Sequence, residues 1–158
     1  MQLVKSTKLL VATAALGLAL SAVAADVPKD AVLLTPGDFK WKPSAQVAGL
    51  ERAAMIGDDT KPGPYLFRTK FPPNFKLQAH GHPDERRYTI VSGTWYIGWG
   101  KKFDESKLIA LPAGSFYTEP AKIPHFVATR DDGAVIEISG TGPSSQLWVD
   151  PAHAPKKK

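Results

Sequence analysis

His80 and His82 are separated by a single glycine, with Glu85 just beyond them and His125 far downstream, directly after Pro124. Imidazole nitrogens and carboxylate oxygens hold Zn, Fe, Mn, Ni or Cu, so these four residues form a candidate site for a divalent metal ion. In a strand, side chains alternate faces, so histidines at i and i+2 project the same way and can share one ion. His125 must then arrive from another strand, with the ligand atoms converging to about 2.0–2.2 Å from the ion. An ion that prefers six ligands but has three or four from protein keeps positions open for water, dioxygen or a chelating substrate. The donor set does not choose among these metals. A plainer view makes His80 and His82 polar residues on a solvated strand end, His125 a satisfied core histidine and Glu85 an exposed acid beside Pro83-Asp84. Arg86 and Arg87 read as surface charges rather than an anion clamp, and His153 as solvent exposed. No residue stands out as catalytic: there is no Gly-rich phosphate loop and no serine or cysteine nucleophile motif.

The elements that must position these groups are strands. Short alternating runs, punctuated by Gly, Pro, Asn and Asp, recur along the chain without a long helical period. The runs predict strands at Ala53–Ile56, Tyr65–Phe71, Phe75–His80, Arg87–Ser92, Thr94–Trp99, Ser115–Thr118, His125–Thr129, Ala134–Ser139 and Gln146–Val149. Lys61-Pro62-Gly63-Pro64, Pro72-Pro73-Asn74, Gly93, Pro112-Ala113-Gly114 and Asp131-Asp132-Gly133 separate them. Asp132-Gly133 reads as the strongest hairpin signal, because a tight primed turn needs positive φ. Lys101–Lys107 is the one stretch suited to a helical turn, and Val27–Leu50 reads as an irregular arm packed on the outside. The aromatics Tyr65, Phe67, Phe71, Phe75, Trp95, Trp99, Phe116 and Phe126 read as mostly core, while Tyr88, Tyr96 and Tyr117 offer polar tips that can orient a ligand.

Composition narrows the setting. Lys5 and Lys8 precede an apolar stretch, Leu9 to Val23, that ends in Ala22-Val23-Ala24. That is the pattern of a secretory signal peptide over 1–24, too short to span a bilayer comfortably. The expected product is a single domain over 25–158, its core at about 50–150, with no membrane span, lying in the bacterial periplasm or outside the cell. Losing Lys5 and Lys8 lowers the formal net charge from +5 to +3. No basic stripe interleaved with aromatics supports nucleic-acid binding. With no cysteine in the chain, stability must come from packing.

Together these residues resemble the cupin superfamily, whose small β-barrel carries two motifs on neighbouring strands. The first reads here His80-Gly81-His82-Pro83-Asp84-Glu85 and then Gly93; the second reads Gly114, Pro120 and Ile123-Pro124-His125. The likeness spans roughly Tyr65 to Val149, and Val91–Gly98 and Leu111–Gly114 further resemble exported single-domain cupins. It implies an all-β, double-stranded β-helix (jelly-roll) barrel with an irregular N-terminal arm, and His80, His82 and His125 as metal ligands. Two positions depart from the pattern. Lys122 stands where a glycine is usual, and the place of the first-motif glutamate, counted back from Gly93, holds Arg86 with Glu85 one residue early. Glu85 reaches the ion if Pro83 lets the turn slip by one residue; otherwise a guanidinium faces the site. The resemblance implies a metal-dependent enzyme, oxygenase or isomerase-like, acting on a small organic molecule, or alternatively a non-catalytic barrel that senses or stores a metal or small ligand. A third reading gives the histidines no metal and the barrel a role in assembly. Cupins often pair through their sheets, so a homodimer fits the resemblance.

Overall fold

The structure, a computed structural model, describes residues 26–155. The expected signal peptide, 1–24, and the terminal lysines lie outside the described residues. The chain divides into a first unit ending at Ala31 and a second starting at Val32. Residues 26–31 of the first carry one turn, closed by Ala31 N–H on the Pro28 carbonyl.

The second unit is built from ten strands among the described residues: β1 (Lys42–Pro43), β2 (Glu51–Ile56), β3 (Gly63–Phe71), β4 (Lys76–Gly81), β5 (Arg86–Trp99), β6 (Ile109–Pro112), β7 (Phe116–Glu119), β8 (His125–Ala128), β9 (Ala134–Gly142) and β10 (Leu147–Trp148). Every pairing is antiparallel. One sheet runs β1-β2-β3-β9-β5-β7. The other runs β10-β4-β8-β5-β6. This is the all-β jelly-roll barrel that the resemblance implies.

Period-two patterning explains which faces turn inward. Tyr65, Phe67, Thr69 and Phe71 of β3 are buried and their neighbours are not, while Ala134, Ile136 and Ile138 of β9 repeat the pattern opposite them. The register sets Phe67 against Ile138 and Thr69 against Ile136, so both strands present one apolar face to the core. Leu77, Trp95, Ile97 and Val127 complete it from the other sheet. Burying each large apolar side chain contributes roughly 1.5–3 kcal/mol. Trp99 and Phe116 depart from the expected core, at 37% and 61% exposed: alternation turns Phe116 outward in β7, whereas Trp99, in phase with buried Trp95 and Ile97, is the last residue of β5.

Three sequence expectations need correction. Gly93 does not separate two strands: β5 runs unbroken through it and belongs to both sheets. The ladder slips between Ile90 and Ser92, and Gly93 has φ of 73°, a combination that bends the strand without ending it. A Cβ at Gly93 would meet the Gly133 carbonyl, so only glycine fits this crossing. Asp132-Gly133 does turn, with Gly133 at φ 63°, but it closes no hairpin. β8 pairs with the second half of β5 and β9 with the first half, so the turn carries the chain between sheets at the same bend. The N-terminal arm, finally, is not wholly outside. β1 pairs with β2, Leu50 is buried, and Ser44, Gln46 and Val47 turn in over one end of the core. The stretch suited to a helical turn holds a 3₁₀ turn, Glu105–Lys107, capped by the Asp104 side chain on Ser106 N–H.

Lys122 occupies the left-handed region, with φ of 64°, so the conformation suited to glycine persists without the glycine. Its N–H donates to the His82 carbonyl at 2.7 Å, tying the turn before β8 to the turn after β4. A non-glycine residue there costs roughly 1–2 kcal/mol, and glycine returns about 0.5–1 kcal/mol of that through unfolded-state entropy. Lys122→Gly is therefore expected to stabilise the fold by up to about 1 kcal/mol. Urea unfolding checks it: the midpoint should rise at unchanged slope, and a lowered midpoint would contradict the strain assignment.

Candidate metal centre

His80 ends up inward through a defect in the ladder. Leu77 and His80 both line the central cavity although they are an odd number of residues apart, which regular alternation forbids. The β4–β8 register slips between these two positions, and the bulge rephases the strand. His80 then sits directly across from His125, the first residue of β8, and His82 follows just past the end of β4. The ring centroids lie 4.4 Å apart for His80 and His125, 5.1 Å for His80 and His82, and 5.2 Å for His82 and His125. One nitrogen from each ring falls within 4.8 Å of the others. All three residues are at least 96% buried.

Each imidazole is oriented by the same device. Nδ1 of His80, His82 and His125 faces the backbone carbonyl of Gln78 (2.8 Å), Ser145 (2.8 Å) and Ile123 (3.2 Å) respectively. A carbonyl only accepts, so Nδ1 carries the proton and Nε2 keeps its lone pair. Burial holds the rings neutral: it pushes His80 down to about 4 and His125 down to about 3, with His80 adding to the effect at His125 and Arg86 at both. His82 is lowered further, by burial and then by Arg86.

The carboxylate in this centre is Glu119, not Glu85. Glu85 precedes the inward-facing start of β5, points to solvent and pairs with Arg87 at 3.1 Å. Alternation from Glu85 outward makes Arg86 inward, so the buried side chain at this place is the guanidinium, 5% exposed, and Arg86 is not a surface charge. Glu119, 2% exposed, stands opposite Arg86 in the β5–β7 register. Its Oε1 is 3.3 Å from His125 Nε2, and its Oε2 is 3.7 Å from His82 Nε2. Tyr88 donates to Oε2 at 2.5 Å and Tyr117 to Oε1 at 3.1 Å. Burial raises this carboxyl to about 7, partly offset by Tyr88 and Arg86. Both tyrosines are pushed upward by burial and then by Glu119, which keeps them protonated donors. His153 lies exposed, away from the centre.

Solved structures of other proteins share this arrangement of strands. The polyketide cyclase RemF from Streptomyces resistomycificus aligns with a TM-score of 0.60 at 14% identity, over 75% of this chain and 84% of its own. An RmlC-like cupin from Ralstonia eutropha gives 0.59 at 19%, over 76% and 73%. The chain has the cupin fold. A third neighbour, the DMSP lyase DddQ from Ruegeria pomeroyi, gives 0.53 at 17%, over 67% of this chain and 57% of its own. No protein-family model and no curated sequence matches the chain.

Within this cupin barrel the donor set fits a divalent ion. His125 Nε2 and Glu119 Oε1 are both acceptors, yet they face each other at 3.3 Å. Two lone pairs so placed in a buried site require a proton or a cation between them. Reasoning from the sequence missed Glu119 by ending its strand at Thr118. Carrying the alternation of Tyr117 one step further would have turned Glu119 inward.

The buried groups set an acid response for the chelator-treated protein. Unfolded histidines take up protons below about 6.5, whereas folded His80 and His125 resist until about 4 and 3, so the three histidines lose stability as pH falls through that window. Glu119 has the opposite sign: raised to about 7, it binds a proton in the folded chain before the unfolded one does, and offsets one histidine between about 7 and 4.5. The net expectation is a loss on the order of 1–3 kcal/mol per pH unit from pH 6.5 to 4.5. Urea midpoints across that range check it, and a flat or rising profile toward acid would contradict neutral buried imidazoles.

Proposed function

We propose that this chain is an exported cupin that binds a divalent metal ion through His80, His82 and His125 and acts on a small organic molecule in the barrel. The observation that carries the metal centre is the convergence of three imidazoles, each fixed by a carbonyl at Nδ1 so that its Nε2 lone pair is left for a ligand, beside the buried Glu119 carboxylate. Closed structural sites saturate their ion with protein ligands, whereas three imidazoles leave room for a substrate. When bound, such an ion supplies Lewis-acid polarisation or a site for dioxygen. The surrounding residues supply the rest. Glu119, titrating near neutrality and held by Tyr88 and Tyr117, is placed to take or return a proton at Oε1, which favours turnover over passive storage. Leu77, Trp95 and Val127 give the cavity an apolar wall that excludes water. Neighbours in the fold include a polyketide cyclase and a DMSP lyase, which supports a small organic substrate. The apolar leader Leu9 to Val23, with its Ala22-Val23-Ala24 exit, supports export to the periplasm or beyond.

Elemental analysis of protein reconstituted with metal and desalted tests the centre. Wild type should retain about one ion per chain, His80→Ala and His125→Ala about a tenth of that or less, and Glu85→Ala the full amount. Equal trace amounts in all four proteins would remove the metal centre. For export, intact mass of protein recovered from the periplasm of a bacterial host should begin at Ala25, and a mass retaining Met1 would refute cleavage.

A further inference from the structure

We propose that Arg86 is an anion-binding residue, released to a small carboxylate ligand when His82 takes up the metal ion, so that ion and carboxylate bind cooperatively. This rests on the metal centre above and names the class of ligand that joins it.

The first observation is a conflict over one lone pair. Arg86 Nη1 donates to His82 Nε2 at 3.3 Å. That nitrogen has a single lone pair, its Nδ1 being committed to the Ser145 carbonyl, so it cannot receive the guanidinium and ligate an ion at once. Metal binding must detach Nη1.

The second is that the guanidinium is short of acceptors. It offers five N–H donors, of which Nη2 is spent on Ser144 Oγ at 2.6 Å. Its Nε is buried without a hydrogen-bond partner among the described residues, with Asp84 Oδ1 3.7 Å away. Asp84 is itself engaged by the hydroxyls of Tyr65 and Ser144, and Glu119 by those of Tyr88 and Tyr117. A buried cation that loses an acceptor beside a newly bound cation needs an anion between the two. A carboxylate suits this best, because its two oxygens match a guanidinium on one side and leave a lone pair for the ion on the other.

The third is space. The cavity bordered by Arg86 and the three histidines encloses about 50 Å³. At roughly 10–15 Å³ per water that is room for about four non-hydrogen atoms, the size of acetate. Leu77, Trp95, Val127 and Ile138 line the same cavity with apolar surface. The ligand is therefore a short carboxylate of about acetate size with no second charge.

Calorimetric titration of chelator-treated full-length protein with Zn²⁺, in the presence and absence of acetate or its neutral counterpart acetamide, tests the coupling. In wild type, acetate should tighten Zn²⁺ binding by about fivefold or more after correction for acetate–zinc association in buffer, and acetamide should not. By reciprocity, Zn²⁺ should tighten acetate binding by the same factor. Arg86→Gln should abolish the coupling and, with the competitor for His82 gone, bind Zn²⁺ more tightly without acetate than wild type does. Arg86→Lys, which keeps the charge but not the fork, should retain only a fraction of the coupling. Wild type that binds Zn²⁺ with no response to acetate overturns the role of Arg86 alone, without recourse to any variant. Wild type that binds no ion under either condition overturns the metal centre and the coupling together. Coupling undiminished in Arg86→Gln would show acetate held by the ion itself, and would also overturn the proposal.

Discussion

Three hydrogen bonds from ring nitrogens to backbone carbonyls decide what this barrel can do. Histidine in an apolar interior is chemically ambiguous, since either nitrogen can carry the proton. The carbonyls of Gln78, Ser145 and Ile123 remove that ambiguity, and they belong to the main chain, so the fold itself fixes where the acceptors stand. The inward lone pairs, their low affinity for protons and the convergence on one point all follow. Two of the carbonyls lie two residues before the ring they serve, which makes the orientation a local property of strand ends. The third, Ser145, comes from the segment leading into β10 and makes the site depend on how that short strand closes over β4.

Around this triad the charges are arranged as opposites across one strand pair. Arg86 on β5 and Glu119 on β7 are direct register partners, yet each turns to different neighbours: the guanidinium to His82 and Ser144, the carboxylate to two tyrosines. Burial works against the charge on Arg86, but Tyr88, Tyr65 and Asp84 more than compensate and keep it protonated. A cation and an acid thus flank the same small cavity without neutralising each other, a disposition suited to orienting a polar ligand.

Much of this was legible in the chain. The two histidines around Gly81 and the one after Pro124 are visible as motif residues, because their spacing and their turn-forming neighbours are local. Short alternating runs identify β3, β4, β8 and β9 within a few residues. What escaped depends on phase. A strand start displaced by one residue exchanges the inward and outward positions, which is why Arg86 rather than Glu85 faces the histidines and why Glu119 was passed over. The bulge between Leu77 and His80 has no signature in residue types, since it is imposed by the register against β8. Gly93 and Asp132-Gly133 were recognisable as departures from regular backbone, but whether such a departure turns, bends or crosses over is decided by partners distant in sequence.

The bend in β5 also governs how the barrel comes apart. One continuous strand supplies central hydrogen bonds to both sheets, so neither sheet can peel away while the other keeps its interior pairing. Loss of order must therefore spread through both layers together, with fraying left to the short outer strands β1, β7, β10 and β6. Since β10 adjoins the segment bearing the Ser145 carbonyl, parting of that margin would free the His82 ring while the shared strand stayed intact.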